Sequence, residues 1–188
     1  MRNLCYFLLL ALVIKPCFAH GFTGSGWIHP LTGYDHMVAM IAVGAWSAQL
    51  GGKAIWRVPT AFVTAMFLGG LLGFKHIPIP ATEFGIAISV LILGLAIMIE
   101  CKIGIILAAF GVAIFGICHG YAHGYEIPQN ENKVIYVCGF LTTTICLHIV
   151  GAVGGLLILG EKNGRLYLRI CGAIAMLIGI YLIFRVLH

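Results

Sequence analysis

The chain is short of charge. Only 9% of its 188 residues are Asp, Glu, Lys or Arg, and six of these are acidic. With 61% hydrophobic residues and a mean hydropathy of +1.06, the composition excludes a soluble globular domain and reads as one polytopic membrane domain. Basic residues exceed acidic ones by five, but they lie in short connectors between apolar runs and form no patch. A nucleic-acid surface is therefore excluded. The seven Cys make no CxxC pair and no regular spacing, so they read as small packing residues. No GxxxxGKS/T loop is present to cradle phosphates, so ATP is not used directly. Few carboxylates are left within the apolar runs to serve as a proton relay.

What the chain has in quantity is apolar runs and glycine. Residues 1–19 carry Arg2, an apolar core over 4–14, a Lys15-Pro16 breaker and a small-residue ending at Ala19, the layout of a signal peptide. Its apolar core is too short for a bilayer that needs about twenty residues, so cleavage after Ala19 is expected. His20 would then be the new N-terminus, able to chelate a cation with imidazole and α-amine together. Six apolar segments follow, at 35–50, 55–74, 83–100, 103–123, 134–159 and 166–187. They predict an all-α integral membrane protein in which 20–188 form a bundle of six transmembrane helices behind a cleavable signal peptide. The first is marginal in length unless it begins near Pro30, a residue suited to a helix's first turn.

With the mature N-terminus outside, the inner connectors hold Lys53, Arg57, Lys102, Lys162, Arg165 and Arg169, whereas the outer side holds Lys75, Lys133 and Arg185. The positive-inside rule agrees with the signal peptide. Both cues put the termini outside, which in a Gram-negative cell is the periplasm. Small residues recur every fourth position in Ala61, Ala65, Gly69 and Gly73, in Gly116, Gly120 and Gly124, and in Gly151 and Gly155. Such rows let helix backbones approach closely in lipid.

Chemistry concentrates in two clusters. His29, Asp35 and His36 fall within eight residues at the start of the first helix; His119, His123 and Glu126 stand four and three apart at the end of the fourth, on one helical face. Topology puts both clusters at the outer level of the membrane. Asp35 either binds metal directly or orients an imidazole by accepting its second ring N–H. His148, about fourteen residues into the fifth helix, reads by itself as a packing residue; beneath two His/carboxylate clusters it becomes the next stop inward. Glu83 reads first as a first-turn helix acid, with membership of the site as the alternative, and His76 and His188 read as solvated. A charged side chain in the bilayer costs about 2.5–3.5 kcal/mol on insertion scales, so several ionisable groups at one level imply a divalent-metal site. Imidazole with carboxylate and no organised thiolate suits Ni, Co, Zn or Fe and argues against Cu(I). Cys118 and Cys146, the thiols near these His, read as wall residues.

With His29-x5-Asp35-His36 and His119-Gly-x-Ala-His123-Gly-x-Glu126 in order, the chain resembles the HupE/UreJ family, hydrogenase and urease accessory proteins regarded as nickel permeases. One departure is Cys118, where the family pattern has an aromatic residue. The resemblance implies that His29, Asp35, His36, His119, His123 and Glu126 are the functional residues, and it makes nickel the expected ion, with Co2+ or Zn2+ as alternatives. The expectation is a non-enzymatic inner-membrane permease with no permanent cofactor, whose partners are the divalent ion, the lipid bilayer and, where it self-associates, a second copy. Ni2+ would pass inward by facilitated diffusion, since a cation gains about 2.3 kcal/mol per charge for each 100 mV of membrane potential. The rival is an intramembrane hydrolase using His/Asp-bound zinc.

Overall fold

The computed structural model describes residues 25–188. The signal peptide over 1–19, its cleavage and His20 lie outside the described residues, as does the side chain of His29. Seven helices and no strand make up the described part: α1 (Ser25–Thr32), α2 (Tyr34–Leu50), α3 (Ala54–Phe74), α4 (Thr82–Met98), α5 (Ile105–Tyr125), α6 (Lys133–Leu159) and α7 (Gly164–Leu187). All six predicted segments are helical. Among the described residues α3, α5, α6 and α7 are long and apolar enough to cross a membrane; α4, at 17 residues, is apolar but shorter.

The start of the bundle differs from the sequence reading. Pro30 does not open the first long helix: it lies inside α1, an additional short helix. A proline there withholds the N–H that would bond back one turn, and α1 stops two residues later. Gly33 then takes an extended conformation (φ −80°, ψ 105°) and the chain starts α2 afresh. His29 and His36 therefore belong to different helices and do not share one helical face.

Three helix pairs dominate the packing: α3 on α5, α4 on α7 and α2 on α6. The small-residue rows are the reason for two of them. A Cβ at Gly120 of α5 would overlap the Met66 carbonyl of α3, and one at Gly44 of α2 would overlap the His148 carbonyl of α6. Backbones this close gain dispersion contacts that larger side chains would prevent. A third glycine seam sets Gly94 of α4 against Gly172 of α7.

Helix α2 is central and touches each of the other six. Its buried residues run almost without interruption from His36 to Ala48, so it has no wholly outward stripe. Its C-terminal end is tied to that of α4: Gln49 Nε2 donates to the Ile97 carbonyl in the last turn of α4 at 3.1 Å, and Trp46 Nε1 to the carbonyl of Cys101, in the connector that follows, at 3.1 Å. At the opposite side, Asn132 caps α6 by accepting from the N–H groups of Val134 and Ile135 at 3.0 and 3.2 Å.

Candidate metal centre

The break at Gly33 sets up the first half of the site. Restarting the helix at Tyr34 puts Asp35 in the first turn of α2, where an acid suits the exposed N–H groups and the positive end of the helix dipole. Asp35 Oδ1 accepts from the His36 backbone N–H at 2.8 Å and from His36 Nδ1 at 2.9 Å. A carboxylate only accepts, so the proton sits on Nδ1 and, in the neutral ring, the lone pair is on Nε2. Of the two sequence alternatives for Asp35, this contact is the imidazole-orienting one.

The second half comes from α5. His119 and His123 are fully buried because α5 turns that face onto α2 and α3. The His36 ring lies edge-on to both, with ring centroids 4.7 Å from His119 and 4.7 Å from His123. The imidazole of α2 and the two of α5 thus form one contiguous cluster. His123 also stacks on Phe140 of α6, at 4.9 Å and 6° between planes. Glu126 follows α5 as its C-cap and is exposed. Glu83, read from sequence as a helix-start acid, is nearer the site than that reading implied: it lies within electrostatic reach of Asp35, His36 and Glu126.

The hydrogen bonds of His119 involve a residue that the sequence reading passed over. Ser89 of α4, fully buried, donates its hydroxyl proton to the Ile86 carbonyl at 2.7 Å, and its oxygen lies 3.0 Å from His119 Nε2. Its signal in the sequence was slight: one hydroxyl in the apolar run that follows Glu83.

Deeper in the bundle, α6 presents Phe140, Thr144 and His148 at fourfold spacing, all buried. Thr144 Oγ1 donates to the Met66 sulfur at 3.5 Å. His148 Nδ1 lies 2.7 Å from the Met40 carbonyl, which can only accept, so its Nε2 carries the lone pair; that atom is buried with no hydrogen-bond partner among the described residues. Phe62 of α3 separates the levels, with ring centroids 5.5 Å from His119 and 5.1 Å from His148. His148 also forms part of the floor of a crevice between α3 and α6.

The other candidates stand apart. His76 and His188 are exposed, as expected. Cys146 is exposed, and Cys118 turns toward α4, where a Cβ at Gly85 would come within 2.6 Å of its sulfur. Among the described residues no three His, Cys, Asp or Glu side chains converge to hold an ion as they stand. The clustered rings meet by their edges, so common ligation requires them to turn.

The sequence matches the HupE / UreJ protein family over residues 8–182. This chain belongs to that family. It is also 41% identical to Protein HupE of Rhizobium leguminosarum bv. viciae over 177 residues, covering 90% of this chain and 92% of that protein. No solved structure matches it. Both family motifs lie inside the matched range, and they are the stretches that supply the three clustered imidazoles.

Proposed function

We propose that this family member is an inner-membrane permease that takes a divalent transition metal, Ni2+ before Co2+, from periplasm to cytoplasm to supply hydrogenase or urease maturation. Six helices, α2 to α7, cross the bilayer in this reading, with both termini periplasmic and the lysine- and arginine-rich connectors inside. The observation that carries it is the meeting of His36, His119 and His123, two of them fully buried, in a bundle whose buried side chains are mostly apolar. Imidazole nitrogens with a lone pair to give are ligands for a borderline cation.

Asp35, Glu83 and Glu126 supply negative charge at the mouth and draw the hydrated ion in. His36, His119 and His123 replace its water. His29 on α1 and the freed His20 belong to the same outer approach. His148 receives the ion next, past Phe62, and the membrane potential drives the passage. Binding at each stop has to be strong enough to admit the ion and weak enough to release it.

Nickel uptake by cells deprived of other nickel transporters tests the reading. His36→Ala and His123→Ala should each abolish uptake at low nickel while the protein still reaches the membrane. Unchanged uptake would remove those residues from the path.

A further inference from the structure

The hydroxyl of Ser89 has one proton, and it is committed to the Ile86 carbonyl of its own helix at 2.7 Å. What remains on the oxygen is acceptor capacity alone. His119 Nε2, 3.0 Å away, must therefore be the protonated nitrogen of that ring. Its other nitrogen, Nδ1, carries the lone pair and is buried with no hydrogen-bond partner among the described residues. His36 and His148 are the opposite case: each commits Nδ1–H, to the Asp35 carboxylate and the Met40 carbonyl respectively, which leaves Nε2 as the donor atom.

We propose that Ser89 is a positioning residue that fixes His119 in its Nε2–H form, so that the cluster binds a divalent cation through Nδ1 of His119 and Nε2 of His36. This rests on His119 being a ligand. The geometric consequence is specific. Nδ1 is the ring nitrogen nearer the main chain, so His119 holds the ion close to α5, while His36 reaches toward it with the far edge of its ring. Ser89 touches neither ion nor path; it acts through the proton it assigns. A ring free to exchange tautomers would spend part of its time with a proton where the cation must bind.

Full-length protein in detergent, titrated calorimetrically with Ni2+, provides the test. Ser89→Ala should weaken Ni2+ binding by about 10–100-fold, the range for partners that orient a ligand, without shifting the thermal midpoint; Ser89→Thr, which keeps the hydroxyl, should restore it. His119→Asn, whose amide oxygen can occupy the Nδ1 position, should keep more affinity than His119→Gln, and the order should reverse at His36. In the metal-free protein, 15N spectra of the imidazoles should show His119 unprotonated at Nδ1, with a tautomer mixture in Ser89→Ala. Wild-type Ni2+ affinity in Ser89→Ala would overturn the proposal, as would a proton on Nδ1 in the wild-type spectrum, which decides the matter even if the variant fails to fold. His119→Ala separates the two layers: if it binds Ni2+ like wild type, the ligand reading itself falls, whereas lost binding there with full binding in Ser89→Ala overturns the role of Ser89 alone.

Discussion

His148 of α6 is fastened to the main chain of α2 by one contact, from its Nδ1 to the Met40 carbonyl at 2.7 Å. The bond fixes both the ring's orientation and the nitrogen that bears its lone pair, on a ring that packs against Phe62 as His119 does. His148→Ala should therefore separate binding from passage. Nickel affinity of the purified protein should change little, because the outer cluster is intact, while uptake should fall on the order of tenfold or more. Parallel calorimetry and cellular uptake make the comparison; equal loss in both would place His148 in the outer site instead.

Asp35 is expected to act on affinity through His36. Removing the acceptor in Asp35→Ala lets that imidazole rotate and exchange its proton, and Ni2+ binding should weaken by about 10–100-fold. Asp35→Asn keeps an oxygen able to accept from Nδ1 but loses the charge, so its affinity should fall between the two. Titration of the three proteins side by side gives the ranking.

The seam between α3 and α5 should be intolerant of a single methyl group. In Gly120→Ala the new Cβ overlaps the Met66 carbonyl, and main chain cannot yield as a side-chain tip can. Overpacking of this kind costs about 1–3 kcal/mol. Gly111, on the same helix, has nothing within 4 Å of an added Cβ, so Gly111→Ala should be neutral or gain up to about 1 kcal/mol of helix propensity. Thermal unfolding in detergent would show the contrast, and a destabilised Gly111→Ala would count against it.

Membrane orientation is checked by single cysteines in a cysteine-free background. A thiol-reactive label that cannot cross the membrane should modify Glu131→Cys in intact spheroplasts and reach Lys162→Cys only after lysis. Labelling in the reverse order would invert the proposed topology.

The two motifs were readable because each is local: residue type and spacing within eight positions are enough to mark His29, Asp35 and His36, or His119, His123 and Glu126, as a group. The helices were readable for a similar reason, since an apolar run carries its own length. Glycine rows announced close backbone approach on α3, α5 and α6, because a fourfold repeat of small residues has little use except close approach, but they did not say which helices would pair. Three things were not legible. The break at Gly33 depends on Pro30 and Gly33 acting together, in a mixed stretch with no periodic pattern to mark a short helix ahead of the long one. Glu83 was read as a helix-start acid because its nearness to Asp35 arises only when α4 docks on α2. Ser89 and Phe62 look like ordinary members of apolar helices, and what distinguishes them is contact with His119, thirty residues away from the one and far more from the other.

Helix α2 is enclosed by all six of its neighbours, whereas α7 buries only Gly164, Leu168, Gly172, Ala175 and Gly179 of its length. Evolutionary drift should therefore be uneven across the chain. On α7 one apolar residue can replace another wherever the side chain meets lipid, so its sequence can wander while its hydropathy stays constant. On α2 a change in size is felt by several helices at once, and substitutions there would need compensation elsewhere to survive. Distant relatives should be aligned on α2 first.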